Sequence, residues 1–504
     1  MQIQVVGGDP RGVATESLVV GVLEQSDRQP PWTVEVNRAL GGAIADRLRA
    51  GDMRGKLGEV AAIPGGGSIR ARRVVLAGLG PRDQLDIERL RRATGRVVRW
   101  LDEGRGREAS LLIHLLAGRK GVAAATRAAA EAAVLASYRS PVFGEKEARA
   151  AAARGGVSLG RVQLIEPGAA SVPAGLRAAA HAGQVVAESA NLARRLAELP
   201  GNHLPPRGLA AEAAALGKES RLQVTVHDEA WLRARKMGAI LGVAQGSVEP
   251  PRFIVIEHRP RRRARGHVAL VGKGVTFDSG GISLKPREDM ERMKYDMSGA
   301  AAVLGALRAA SLLDLPVRVT GVIPAVENLP SGSAIKPGDV ILSMAGKSIE
   351  VVNTDAEGRL ILADGLAFAG QLEPDVIIDI ATLTGACRIA LGGGACGLTG
   401  NDQALIDDLR AAGAASGERA WPLPLYDDYS EEIMTEVADL KNSAGRSAGA
   451  LTAAAFLKAF AGERRWAHLD IAGMAWLDKD RDYLKCGSTG FGVRLLTAYL
   501  EAWR

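Results

Sequence analysis

Aromatic residues make up only 4% of this 504-residue chain, cysteine occurs three times and histidine seven times. Each scarcity excludes something. With so few rings, Ala, Val and Leu must fill most of the core, which suits helices laid on sheets. Cys387, Cys396 and Cys486 are an odd set without CxxC spacing, which argues against a disulfide framework and against a cysteine-rich zinc site. They read as packed thiols. His114, His181, His203, His227, His258, His267 and His468 form no HExxH or other close pair, so any metal centre here must be rich in oxygen. No apolar run approaches the length needed to span a bilayer, and Met1 to Asp9 lacks a basic segment followed by an apolar one. A cytoplasmic protein without membrane partners is expected.

The chain is long for one hydrophobic core and carries 47% hydrophobic residues, so two domains are expected. Lys and Arg number 64 against 57 Asp and Glu, a net charge of +7 that permits attraction to polyanions. Part of that excess is the run Arg259 to Arg265, set between two strand-like segments. No aromatic interleaves with its arginines, so a solvated connector is the favoured reading over a DNA-binding patch.

Strand-like and helix-like stretches alternate from the start. Arg73 to Gly78 reads as a buried strand, and Ile87, Leu90, Val97, Val98 and Leu101 mark one face of the helix after it. Ser110 to Leu115 reads as another strand, with an Ala-rich helix from about Val122 to Tyr138. A helical pattern from Pro173 to Leu199 ends at the breaker cluster Pro200 to Pro206. Beyond it come apolar runs at His267 to Val271, Val317 to Ile323, Val376 to Ile380 and Trp466 to Ile471, each followed by a helical pattern. The class is α/β, with domains expected at 1–172 and 173–504, the second opening on a linking helix. Its central sheet is expected to be mixed, largely parallel and flanked by helices, and such sheets bind ligands at the carboxyl ends of their strands.

Three segments near those ends carry chemistry. Val271 to Pro286 sets Lys273, Asp278 and Lys285 among glycines, but without the GxxxxGK[ST] order of a phosphate loop. Met293 to Ala300 holds Asp296 just before a helix for which Ser298 is the expected N-cap; taken alone, Asp296 would be a turn or capping residue. Val351 to Leu360 holds Asp355, Glu357 and Arg359. Read as an extended segment, it points Asp355 and Glu357 the same way, with Gly358 breaking the strand and a helix resuming at Leu360. Alone, that junction could be a surface ion pair. Together the segments bring four carboxylates, and carboxylates converge only where cations hold them. Two decoys fail. Gly445 to Gly449 matches GxSxG without a buried strand before Ser447, and Gly78-Leu79-Gly80 continues with Asp83 where a dinucleotide fingerprint needs glycine.

The same three segments closely resemble the signature stretches of the cytosolic leucine aminopeptidase family, and Asn353 to Leu360 is similar to its diagnostic octapeptide throughout. Ala438 to Phe460 and Trp466 to Arg494 resemble its C-terminal region. The resemblance implies an N-terminal macro-like domain and a catalytic domain that releases N-terminal amino acids, leucine and other apolar residues preferred. It implies two divalent ions, Mn²⁺ or Zn²⁺, bridged by Asp278 and Glu357, with Lys273 and Asp296 completing one site and Asp355 the other. Lys285 would polarise the scissile carbonyl, and Arg359 would hold a bicarbonate acting as general base. Met293, Asn353, Thr382, Leu383 and Gly385 would surround the substrate, a peptide with a free N-terminus. The family also implies a homohexamer, and some relatives double as DNA-binding regulators.

Overall fold

A computed structural model describes residues 1–26, 28–103, 106–144, 159–168 and 171–503. The chain divides into two compact units, Met1–Glu188 with Lys479–Cys486, and Ser189–Asp478 with Gly487–Arg504.

The first unit is built on one six-stranded sheet. Its strands are β1 (Gln2–Gly7), β2 (Ser17–Val22), β3 (Val60–Pro64), β4 (Arg73–Gly78), β5 (Glu108–Leu111) and β6 (Arg161–Glu166), in the order β1-β6-β5-β2-β4-β3. All pairings are parallel except β3 with β4. The central β2 is buried along its whole length, as a strand covered on both faces must be, and Leu18, Val20, Val74 and Leu76 pack in one apolar cluster. The Ile87–Asp102 helix starts where Asp86 accepts the N–H of Arg89 at 2.7 Å, and it buries Leu90, Val97, Val98 and Leu101 as the periodicity predicts. The strand expected to run to Leu115 stops at Leu111. A 3-10 turn, Ile113–Ala117, takes over and the Ala-rich helix begins at Gly118.

In the second unit the strands are β7 (Gln223–His227), β8 (Arg252–His258), β9 (His267–Gly272), β10 (Gly274–Asp278), β11 (Arg318–Asn328), β12 (Asp339–Leu342), β13 (Ser348–Val351), β14 (Val376–Ala381), β15 (Cys396–Gly400), β16 (Ala420–Pro422), β17 (Leu440–Lys441), β18 (Arg465–Asp470) and a short antiparallel pair, β19 (Trp476–Leu477) and β20 (Gly487–Ser488). A nine-stranded sheet runs β16-β15-β18-β14-β9-β11-β8-β7, with β10 added on β11. Its centre, β18-β14-β9-β11, is parallel. The sheet is therefore mixed and largely parallel, as expected. β12, β13 and β17 form a separate small sheet.

Every residue of β9 and β14 is buried, because helices cover both faces. Ile361, Leu362 and Leu366 of the Glu357–Gln371 helix share one core with Val271, Val322, Ile377 and Phe456. Several of the few rings pack there. Phe253 and Phe368 meet edge to face at 5.0 Å, with Trp231 beside both. The arginine-rich run between β8 and β9 is exposed at Arg261, Arg262 and Arg263, as a solvated connector should be. Cys387 and Cys396 are buried free thiols, whereas Cys486 is exposed, which corrects the reading of all three as packed. Among the described residues no helix is long and apolar enough to cross a membrane.

Candidate metal centre

The chemistry-bearing side chains gather at the carboxyl edge of the central parallel strands. β9 ends at Gly272, and Lys273 sits in the break before β10, its N–H on Ile380 O and its carbonyl accepting from Ala300 N. β10 was not marked by any apolar run. It pairs with β11 through a register shift between Val275 and Phe277, after which Asp278 lies opposite Asn328. A bulge of this kind re-aims the side chains beyond it. Asn328 Nδ2 donates to Asp278 Oδ1 at 2.8 Å and to Thr354 O at 3.0 Å, which locks the end of β10 to the segment carrying Asp355.

Six of the seven residues expected to hold metal or act on the substrate form one network. Lys273 Nζ lies 2.7 Å from Asp296 Oδ2 and 2.8 Å from Glu357 Oε1, and donates to Thr382 O at 3.0 Å. Lys285 Nζ lies 2.8 Å from Asp278 Oδ2 and 2.5 Å from Asp355 Oδ1. Asp278, Asp355 and Glu357 each offer an oxygen within 4.8 Å of the others, a grouping that could hold a metal ion. The two lysines differ in access. The Lys273 side chain is 4% exposed and forms the floor, while that of Lys285, at 22%, faces the open side. Arg359 stands apart, with Nη1 donating to Asn442 O at 2.8 Å and no carboxylate within ion-pairing distance among the described residues.

Burial is the largest influence on these groups. It pushes Glu357 up to about 8, reinforced by the Asp278 charge, and Asp296 up to about 6, against the lowering pull of Lys273. It raises Asp355 as well. Burial alone would discharge the two lysines, but the surrounding carboxylates outweigh it and hold both above the usual lysine range. Arg359 is lowered to about 10 by burial. Asp296 Oδ2, Asp355 Oδ1 and Glu357 Oε1 are buried without a well-directed hydrogen bond, and the lysine ammonium groups stand against them at ion-pair distance. Three such oxygens, one lysine nitrogen and an excess of negative charge fit hard or borderline divalent cations.

Three local expectations are corrected. Asp355 and Glu357 do not lie on one extended segment. β13 ends at Val351, Asn353 Oδ1 accepts the Asp355 N–H at 3.0 Å to form a tight turn, and Glu357 is the first residue of a helix. Gly358 does not break a strand. It lies inside that helix, where a Cβ would stand 2.7 Å from Lys273 Cε, so its missing side chain leaves room for the lysine. Ser298 is not the cap of the Ser298–Leu312 helix. Met297 holds that place, and the Ser298 hydroxyl donates back to Tyr295 O at 2.5 Å.

The expected substrate residues flank the cluster. Thr382 joins it directly, its hydroxyl donating to Asp296 Oδ1 at 2.6 Å. Asn353 shapes the Asp355 turn. Leu383 and Gly385 follow Thr382 on the connection after β14, and Met293 is half-buried on the 3-10 segment that ends beside Asp296. Sequence reasoning missed Asn328, Asn442 and Asp470. Asn442 Oδ1 accepts the N–H groups of Val352 and Asn353 at 2.9 and 3.3 Å, and its Nδ2 donates to Asn353 O at 2.7 Å. The available signal was position: Asn328 and Asp470 are the last residues of β11 and β18, at the edge already singled out. Ser447 is exposed and preceded by irregular chain, and His468 is bound to Asp379, so no nucleophile elbow exists there.

Comparison with known proteins fixes the class: the chain is a peptidase, a hydrolase. Sequence models described as "Cytosol aminopeptidase family, catalytic domain" and "Cytosol aminopeptidase family, N-terminal domain" match residues 191–497 and 19–147. Probable cytosol aminopeptidases of Geobacter sulfurreducens and Roseiflexus castenholzii are each 44% identical, with 100% of this chain and 99% of theirs covered. Among solved structures, bottromycin maturation enzyme BotP in complex with Mn is 34% identical with a TM-score of 0.84, covering 97% of this chain and 99% of its own. A mutant of tomato leucine aminopeptidase is 29% identical with a TM-score of 0.86, covering 99% and 96%. The chain belongs to the cytosol aminopeptidase family, and its activity is that of an aminopeptidase.

Proposed function

We propose that the enzyme removes N-terminal residues, leucine and other apolar ones first, from peptides through a two-metal centre. The observation that carries this reading is the convergence of Asp278, Asp296, Asp355 and Glu357 on two lysines, with three buried carboxylate oxygens lacking directed hydrogen bonds. Lys273, Asp278, Asp296, Asp355 and Glu357 would hold the ions, and the manganese complex of the BotP neighbour favours Mn²⁺, with Zn²⁺ the alternative. Bound there, divalent cations supply Lewis acidity and a water acidic enough to be deprotonated near neutral pH.

The chain's own residues do the rest. Lys285, on the open side of the cluster, donates its charge to the scissile carbonyl oxygen and stabilises the negative charge that develops on it. Arg359 has guanidinium N–H groups besides the Nη1–H that donates to Asn442 O, and these suit a planar anion such as bicarbonate, which would take the proton of the attacking water. Asn353, Thr382, Leu383 and Gly385 orient the peptide, and Met293 contributes to an apolar pocket for its first side chain. The free α-amine binds at the carboxylate cluster, which makes the enzyme an exopeptidase. A cytoplasmic location accords with the names of the relatives, and a homohexamer with the resemblance described above.

A pair of substrates tests the assignment. With Mn²⁺ present, leucinamide is hydrolysed and N-acetyl-leucinamide is not. Comparable rates on both would remove the role of the free amine.

A further inference from the structure

Asp470 ends β18 opposite Ala381, the last residue of β14, and no step proposed above uses it. Its side chain is buried and gathers four donors. Oδ1 accepts the N–H groups of Leu383 at 3.2 Å, Thr384 at 3.4 Å and Ala472 at 3.1 Å, while Oδ2 accepts the Thr384 hydroxyl at 2.7 Å. Thr384 passes this order on. It is the N-cap of the Gly385–Leu391 helix, and its Oγ1 accepts the Cys387 N–H at 3.0 Å.

The connection Thr382–Gly385 is therefore tied at two points. At one end Thr382 gives its carbonyl to Lys273 and its hydroxyl to Asp296, so the strand end is fixed to the charged cluster. One residue further on, Asp470 takes the next two amides. Among the described residues no cation lies within ion-pairing distance of Asp470; the Arg359 guanidinium and His468 feel its charge from further away, and the hydrogen bonds to this connection and to Ala472 are its direct contacts. A buried carboxylate satisfied by backbone N–H groups fixes their direction closely, because each amide that turned away would leave the charge less compensated. The consequence is a rigid rim beside the metal ligands, with the Leu383 and Gly385 backbone held in one conformation.

We infer that Asp470 is a positioning residue that sets the Leu383–Gly385 backbone to receive the peptide. This rests on the reading that the connection lines the bound substrate. Because the rim touches substrate in ground and transition states alike, its loss raises KM more than it lowers kcat.

The test uses full-length enzyme with Mn²⁺ and leucyl-p-nitroanilide, comparing wild type with Asp470→Ala, Asp470→Asn and Thr384→Val, and measuring bound metal in each. Asp470→Ala is expected to raise KM roughly 10- to 100-fold, the size of lost charge-assisted hydrogen bonds, with kcat within about threefold and metal content unchanged. Asparagine keeps an oxygen for the amides and brings KM most of the way back. Thr384→Val removes the hydroxyl without changing the carboxylate and raises KM about 3- to 10-fold, which keeps the test usable if the alanine variant does not fold. Unchanged KM in the valine and asparagine variants together with an unchanged or unmeasurable alanine variant overturns the inference. So does a fall in kcat with loss of metal, which would make Asp470 a support of the metal site. A wild-type enzyme inactive on this substrate overturns the aminopeptidase reading instead, and this inference with it.

Discussion

Lys285→Ala is expected to lower kcat on leucyl-p-nitroanilide roughly 100- to 1,000-fold in the presence of Mn²⁺ or Zn²⁺, the usual cost of removing a donor aimed at developing negative charge. Asp355→Ala is expected to bring the rate to background, because it deletes one of the three carboxylates whose oxygens come within 4.8 Å of one another. Neither change should unfold the chain. Lys285 lies on the open side of the cluster, and Asp355 sits in a turn whose backbone is held by Asn353 and, through Asn353, by Asn442. Kinetics beside circular dichroism would settle it: full activity in either variant sinks the mechanism, and loss of ellipticity would mark the residue as structural.

Lys273→Met should act on stability. Lys273 is the nearest cation to Asp296 and Glu357, all three side chains being under one-tenth exposed. Deleting one partner of a buried ion pair typically costs roughly 3–5 kcal/mol. The chelated variant should therefore melt well below the chelated wild type, and Mn²⁺ should narrow the difference by supplying the missing charge. Equal melting of the two chelated proteins would contradict this. The pH dependence in chelator follows from the raised carboxyls. Unfolded, Asp296 and Glu357 titrate near their ordinary values of 3.8 and 4.5, but folded they hold protons up to about 6 and about 8. In that window the folded state binds more protons, so these two groups make the chelated protein lose stability as pH rises, until both have ionised. Cation binding strengthens over the same range, because the ligands, Lys273 included, must give up their protons. The gap in Tm between Mn²⁺-loaded and chelated wild type should widen from pH 6 to pH 8.

How far this was readable from sequence depends on the range of the forces involved. The strands His267–Gly272, Val376–Ala381 and Arg465–Asp470 were legible because burial on both faces leaves them mostly apolar, with Asp379 interrupting the second and His468 the third. The acids were legible as positions at strand ends, and the family resemblance joined them into a site. What was illegible depended on distant partners. Glu357 begins a helix because Gly358 packs on Lys273 and because Asn442, some ninety positions away, holds the preceding turn. No local pattern encodes either contact. β10 is short and set among glycines that read as a loop, and its pairing with β11 is what makes it a strand. Asp470 was passed over for a similar reason: its meaning lies in the amides of a loop reached only across the sheet.

Metal analysis of the purified protein, with activity measured before and after exhaustive chelation, tests the central claim most directly. The account predicts two divalent ions per chain in the active enzyme, loss of leucyl-p-nitroanilide hydrolysis when they are removed, and recovery with Mn²⁺ or Zn²⁺. Undiminished hydrolysis by metal-free protein would contradict it, because the carboxylates and lysines alone offer no activated nucleophile.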